Sequence, residues 1–174
     1  MVKIICRRLL QEIYSLTDYL MYDTNEYSST GTGSAKSDTT NEVVWDNTVD
    51  WSFTAEIKVT GPSCRIDITP PTYERAMHLG IGKNTQSRLT TYIGRATSGE
   101  SSVTLTLEME NDVYYPIKIE KQGTTVSFYF SDELIRTDSN VAAEWIGNFN
   151  SERVLLTNWS RNSIYIKNIQ VLPL

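Results

Sequence analysis

The run EMEND, residues 108–112, holds the carboxylates that come closest to an enzymatic pattern. Alternate residues of a β-strand point to one face, so Glu108, Glu110 and Asp112 can share a face of a single strand. Two carboxyl groups about 5–5.5 Å apart serve as acid/base and nucleophile in retaining glycoside hydrolases. However, Asn111-Asp112 is also a typical turn pair, and a turn there would take Glu110 off the strand. We therefore predict no catalytic residues, and a glycoside hydrolase that uses Glu108 and Glu110 is the alternative hypothesis.

Aromatic residues beside hydrogen-bonding side chains form a second kind of candidate site. The apolar face of a sugar ring stacks on an aromatic ring, while amide, carboxylate and guanidinium groups hold its hydroxyls. Tyr92 has the polar parity of its strand, and Trp159 lies in the polar run TNWSRN. Such aromatics are otherwise core or rim residues. The ligand-binding residues that we predict are Tyr92, Arg88, Trp145, Asn158, Trp159 and Arg161.

The histidine and the cysteines form no recognisable chemical motif. His78 is the only histidine, so no triad with serine and aspartate can be built from sequence spacing. Cys6 and Cys64 lie far apart and do not fit the spacing of a zinc site. A disulfide between them is one alternative, but free and mostly buried thiols are favoured. Oxygen ligands for a calcium ion would come from Asp46, Asp50 and Asp132. No dense run of Asp and Asn surrounds these aspartates, and we predict no metal ion or cofactor.

The composition is that of one globular domain with an acidic surface. The chain has 174 residues, 40% of them hydrophobic, which is enough for one sizeable core. A net charge of −5 argues against nucleic acid as a partner, because phosphate binding needs a concentrated basic face. No run is long enough to cross a bilayer. Arg7 and Arg8 interrupt the apolar N-terminus, so we expect the chain to be made without a secretory signal.

Alternation of apolar and polar residues predicts antiparallel strands over most of the chain. A polar loop rich in Gly, Ser and Thr is expected at residues 28–41, and the alternating runs follow it. One face of each run is apolar and the other polar, as in sheets that bury one face. The core positions that we expect include Trp51, Phe53, Ile57, Ile66, Ile81, Ile93, Val103, Leu105, Leu107 and Met109. Roughly ten strands and no convincing internal helix predict a β-sandwich.

Two segments predict details of strand register. The run YYPIKIEKQGTTVSFYF, residues 114–130, has the pattern of a hairpin. If residues 122–123 form a two-residue turn, Ile119 pairs with Val126 and apolar residues meet along the whole ladder. The last strand changes its apolar phase near residues 167–168, which predicts a β-bulge there.

Three segments carry a family resemblance. IKIEKQGTTVSFYFSDELI, residues 117–135, resembles a hairpin of the concanavalin A-like (laminin G-like) jelly roll. DWSFTAEIKVTG resembles an early strand of that fold, and YIKNIQV resembles its closing strand. The resemblance implies an all-β fold, an antiparallel jelly-roll β-sandwich, over residues 23–174. A short N-terminal arm or first strand would occupy residues 1–22.

The resemblance also implies a function. Modules of this kind occur as carbohydrate-binding domains and as accessory or receptor-binding domains of phage tails and virions. We therefore expect a non-enzymatic structural or binding module, a tail, baseplate or capsid-decorating protein that binds host glycan. Its expected partners are other virion proteins, reached through the N-terminal arm, and a cell-surface glycan, with no nucleic acid and no membrane insertion.

The expected assembly is a homo-oligomer, since closed symmetric oligomers are the common form of such parts. Without a secretory signal, the expected location is the virion, outside the host cell after lysis, with the cytoplasm as the alternative. A purely architectural subunit without a small ligand is a further hypothesis. The enzymatic rival is a glycoside hydrolase or lyase of the same fold that uses Glu108 and Glu110.

Overall fold

The computed structural model describes residues 21–33, 36–45, 49–69, 77–95, 99–141 and 152–174. Within these ranges the chain forms thirteen β-strands, and no helix that could span a membrane occurs in them. The strands are β1 (Met21–Asp23), β2 (Tyr27–Thr30), β3 (Lys36–Trp45), β4 (Trp51–Val59), β5 (Cys64–Thr69), β6 (Met77–Lys83), β7 (Arg88–Arg95), β8 (Gly99–Glu108), β9 (Tyr115–Gln122), β10 (Thr125–Phe130), β11 (Glu133–Asp138), β12 (Glu152–Asn158) and β13 (Ser163–Pro173).

The strands form two antiparallel sheets that enclose one core. The first sheet has seven strands in the order β1-β13-β4-β9-β10-β11, and β2 also pairs with β13. The second sheet has six strands in the order β3-β12-β5-β6-β7-β8. The described part of the chain is therefore an antiparallel β-sandwich, as the sequence predicts.

The core consists of the apolar alternate residues of both sheets. In β4, Trp51, Phe53, Ala55 and Ile57 are buried, whereas Thr54 and Glu56, which alternate with them, are partly exposed. The second sheet contributes Ile66 and Ile81, which are fully buried. Complete burial of such a side chain stabilises the fold by about 1.5–3 kcal/mol. The predicted alternation is thus confirmed in these strands.

The edge strand β8 departs from the predicted burial. Val103 and Leu107 are 38% and 41% exposed, although alternation places them on the apolar face. Leu105 is only partly buried against the core, and Met109, just beyond the strand, is fully buried. The prediction that Val103 and Leu107 lie in the core is wrong: β8 is an edge strand, and its pairing with β7 shifts between Thr104 and Glu108, which breaks the regular alternation around Leu107.

The polar segment 28–41 is not only a loop. It contributes to β2, which pairs with β13, and to β3, which pairs with β12. Serine, threonine and glycine favour loops locally, but strand preference depends strongly on the neighbouring strands. Pairing with two strands that follow much later in the chain overrides that preference.

The central hairpin has the predicted facing but a different register. Its turn residues are Gly123 and Thr124, so Ile119 pairs with Phe128 rather than with Val126. Gly123 has φ +55°, which suits glycine at the first central position of a two-residue turn. Moving the turn by one residue changes each partner by two positions. Because the period of a strand is also two, every side chain keeps its predicted face.

The predicted β-bulge in the last strand is confirmed. The pairing of β13 with β4 shifts between Lys167 and Gln170. Asn168 has φ +53°, and both Ile166 and Ile169 are buried because the bulge returns the apolar residues to the core. Residues 1–20 lie outside the described ranges, so the division of the chain into residues 1–22 and 23–174 stays a prediction.

Candidate ligand-binding site

A cavity of about 300 Å³ opens beside the first residue of β5 and the last residue of β6. Two of its residues, Tyr92 and Trp159, were predicted from the sequence as ligand-binding aromatics. Tyr92 lies in β7, and Trp159 directly follows β12. The residues that line the cavity are Ser63, Cys64, Arg65, Lys83, Asn84, Thr85, Tyr92 and Trp159.

The guanidinium group of Arg65 contacts both aromatic rings. Its guanidinium carbon lies 4.5 Å from the centre of the Tyr92 ring and 4.8 Å from that of Trp159. Cation–π contacts of this kind hold the rings in position. Arg65 is 7% exposed, and its Nε lies 2.9 Å from Asp67, which balances its charge. Trp159 remains 44% exposed, so part of its indole is open to a ligand.

Two glycines of β6 make room for this arrangement. On the face away from the core, Gly82 pairs with Arg65, and Gly80 pairs with Tyr92. A Cβ atom on Gly82 would lie 2.5 Å from the Cα of Arg65. Glycine inside a strand often marks a close approach of another group. The run Leu79-Gly80-Ile81-Gly82, with glycine at alternate positions, was therefore a sequence signal for this site that the sequence analysis missed.

The loop after β12 fixes the position of Trp159. The backbone N–H of Trp159 donates to the Ser63 carbonyl at 3.0 Å. Ser160 and Asn162 both donate to the carbonyl of Pro62, at 3.0 and 2.8 Å. These bonds tie the loop to the turn before β5, so the indole stands on a supported backbone rather than on a free loop.

Cys64 forms the inner wall of the cavity as a free thiol. It is fully buried and donates to Oδ1 of Asn158 at 2.8 Å. Burial raises the pKa of the Cys64 thiol to about 11, although the nearby Lys83 ammonium opposes the shift. The thiol is therefore protonated at neutral pH and serves as a hydrogen-bond donor. Cys6 lies outside the described residues.

Lys83 pairs with Cys64 in the ladder and lines the same inner side of the cavity. It is 5% exposed, and its Nζ donates to Oδ1 of Asn111 at 2.6 Å. Burial lowers the pKa of Lys83 below its usual value, and Cys64 and Glu108 act in the opposite direction.

Asn158, Arg88 and Arg161 do not line the cavity. Asn158 is fully buried because it shares the inward parity of Val154 and Leu156. Its amide donates to the carbonyl and the hydroxyl of Ser29, both at 2.9 Å, so we assign it a structural role. Arg88 is exposed at the start of β7, and Arg161 is exposed beside Gly33. Trp145 lies outside the described residues.

The EMEND run does not form the strand face that a glycoside hydrolase would need. β8 ends at Glu108, and Glu110 lies in the following loop, before a turn at Asn111 and Asp112. Neither glutamate lines the cavity described above or the second cavity described below. This geometry removes the structural support for catalysis by Glu108 and Glu110.

The part of the chain that the structure describes contains no group of three or more His, Cys, Asp or Glu side chains that could hold a metal ion. Asp50 accepts a hydrogen bond from the Gly123 amide at 2.7 Å, and Lys121 lies 3.7 Å from it. Asp132 lies at the turn between β10 and β11, and Asp46 is outside the described ranges. His78 lies on β6 opposite Gly94.

A second cavity of about 260 Å³ lies on the outer face of the first sheet, next to the β13 bulge. No aromatic residue lines it, and its Glu56 carboxylate is already bound. Asn168 donates to Glu56 at 2.8 Å, and Lys167 lies 3.4 Å from the same carboxylate. The cavity at Arg65 is therefore the better candidate for a sugar.

Known structures share this fold. The chain is similar to the carbohydrate-binding module CBM66 from Bacillus subtilis, with a TM-score of 0.55 and 10% identity over 88% of this chain and 96% of that chain. It is also similar to the CBM40 of a Ruminococcus gnavus sialidase bound to α2,3-sialyllactose, with a TM-score of 0.57 and 15% identity over 88% of this chain and 91% of that one. A third similar structure is the galectin LEC-6 of Caenorhabditis elegans, with a TM-score of 0.50 and 9% identity over 84% of this chain and 95% of that chain.

Comparison with known sequences gives no match. No protein-family model matches this chain, and no curated protein matches it in sequence. At identities this low, the structural similarities establish the architecture and leave the ligand open. The predicted fold class is confirmed: the chain is an antiparallel β-sandwich of the concanavalin A-like jelly-roll type.

Proposed function

We propose that this chain is a carbohydrate-binding module that holds a glycan in the cavity beside Arg65. The observation that carries the proposal is the pairing of Tyr92 and Trp159 around one guanidinium at a cavity of about 300 Å³. Cavities that bind small ligands combine apolar and aromatic walls with a few polar groups. Thr85 and Ser63 supply hydroxyl groups at its rim.

The fold supports the same proposal. A carbohydrate-binding module and a sialidase CBM with bound sialyllactose are among its structural neighbours. Sugars expose C–H groups on one face and hydroxyls at the edge, so they suit an aromatic surface that is bordered by hydrogen-bonding groups. A non-enzymatic role is consistent with the position of Glu110. It lies beyond the end of β8, so it does not share a strand face with Glu108.

Replacing Trp159 with alanine is expected to weaken glycan binding by about 30-fold. This corresponds to about 2 kcal/mol, the usual effect of removing an aromatic anchor from an interface. A glycan array with the full chain would identify the best binder, and isothermal titration calorimetry would measure its affinity for both proteins. Tyr22→Ala is the matched control, because Tyr22 is 49% exposed and lies on the other sheet.

Two results would refute the proposed function. One is an array on which the folded protein binds no glycan. The other is unchanged affinity in Trp159→Ala while the melting temperature of the variant shows that it is folded.

The proposed function also includes a state of assembly. We expect a homo-oligomer in a phage or virion particle, attached through residues 1–22. Size-exclusion chromatography with light scattering should show an oligomer for the full chain and a monomer for a variant that lacks residues 1–20. A monomeric full chain, or equal masses for the two proteins, would contradict the role of the arm.

A further inference from the structure

Lys83 is a buried charge at the cavity that no carboxylate of the described residues balances. The residue is 5% exposed, and among the described residues its ammonium has one hydrogen bond, to the neutral amide oxygen of Asn111. No carboxylate of the described residues lies within ion-pair distance of it. Burying a charge without a partner of opposite sign is costly, so lysine is seldom buried unless it is paired.

The neighbouring groups do not supply the missing negative charge. The charge of Arg65 is matched by Asp67 at 2.9 Å, so this pair is neutral as a whole. The Cys64 thiol has a pKa of about 11 and is uncharged at neutral pH. Glu108 is solvent-exposed and lies opposite Arg88 in the ladder, where water screens its charge. Counting the described residues alone, the cavity therefore carries excess positive charge in a protein whose net charge is −5.

We propose that the cavity takes an acidic sugar, whose carboxylate or sulfate group supplies the negative charge that Lys83 lacks. The inference rests on the proposed function, which by itself requires only that some sugar binds beside Tyr92 and Trp159. Attraction between an ammonium and an anion is strong where little water intervenes. Lys83 would thus set the preference for charged over neutral sugars, while the aromatic residues hold the ring.

Ligands that differ only in charge give the first test. Trigalacturonate and its methyl ester have the same ring and the same hydroxyls, but the ester has no carboxylate. We expect the acid to bind about ten- to a hundredfold more tightly, the range expected of a charged hydrogen bond. The preference should shrink as salt is added. Galacto-oligosaccharides with and without 6-sulfate, measured in the same way, distinguish a sulfate from a carboxylate ligand.

Variants of Lys83 give the second test. Lys83→Met should reduce affinity for the preferred acidic sugar about ten- to a hundredfold and leave affinity for the uncharged form unchanged. Its melting temperature should stay equal or rise, because the cost of a buried charge is removed and Asn111 is exposed to water. A lysine with a purely structural role would lower the melting temperature instead. Lys58→Met, on the outer face of the first sheet, is the matched control.

The outcomes separate this inference from the proposed function. If charged and uncharged sugars bind equally well to the wild-type protein, the inference is wrong, while binding that depends on Trp159 would keep the proposed function. If no sugar of either kind binds, both are wrong. Should Lys83→Met fail to fold, the comparison of acid with ester in the wild-type protein still decides the question.

Discussion

Replacing Gly82 with alanine is expected to lower the free energy of unfolding by about 3 kcal/mol, the upper end of the usual cost of overpacking. The added Cβ would lie 2.3 Å from the Cys64 carbonyl oxygen and 2.5 Å from the Cα of Arg65. Both are backbone atoms of the neighbouring strand, so no flexible side chain can move aside. β5 and β6 would have to separate at the point where both contribute to the cavity.

Thermal unfolding of the wild-type and variant proteins measures this effect. For a chain of this length we expect the melting temperature to fall by roughly 6–12 °C. Gly123→Ala is the matched control, because a Cβ there would meet nothing within 4 Å and only the φ of +55° is unfavourable. That variant should lose about 1 kcal/mol. Equal losses in the two variants would show that the close approach of Arg65 does not limit stability.

The same substitution should also impair ligand binding. Displacing Arg65 would move the guanidinium that lies against Tyr92 and Trp159. A folded Gly82→Ala protein is therefore expected to bind the best glycan of the array more weakly than the wild-type protein does. Unchanged affinity would mean that this guanidinium does not organise the two rings.

Replacing Arg136 with methionine is expected to cost about 2–4 kcal/mol, because buried hydrogen-bond acceptors would lose their donor. Arg136 starts in β11 of the first sheet and reaches β7 and β8 of the second. It donates to the carbonyl and the hydroxyl of Thr91, both at 3.2 Å, and to the carbonyl and the hydroxyl of Ser101 at 3.3 and 3.0 Å. It also forms an ion pair with Asp138. One side chain thus joins the two sheets.

Chemical denaturation with urea would measure the loss. Methionine fills much of the space of the arginine stem, so the effect should come mainly from the lost hydrogen bonds at Thr91, which is fully buried. Asp138 is partly exposed and can be rehydrated, so the ion pair itself contributes little. Lys118→Met is the control, since Lys118 forms a partly exposed pair with Glu120 and should change stability by less than about 1 kcal/mol. If both variants unfold at the wild-type midpoint, Arg136 is not a significant link between the sheets.

The amino-acid sequence alone determined the architecture and the facing of most strands. Apolar residues at alternate positions, as in β4, are sufficient to predict which side chains enter the core. The change of apolar phase located the bulge at residues 167–168, because a strand can return its side chains to the core only by inserting a residue. Tyr92 alternates with the apolar residues of its strand, and Trp159 lies in the polar run TNWSRN. These two patterns identified both residues as candidate ligand-binding aromatics.

Tertiary structure alone decided how these residues are combined. Alternation shows which side chains share a face of their own strand, but it does not show which strand lies alongside or what covers the outer face. Arg65 therefore had no distinguishing pattern in the sequence, although it contacts Tyr92 and Trp159 from a different strand. Asn158 is next to Trp159 in the chain, yet the inward parity at the end of β12 buries it. The charge of Lys83, which no described carboxylate balances, likewise depends on which residues the two sheets bring around it, because a charge is costly only where the fold removes it from water.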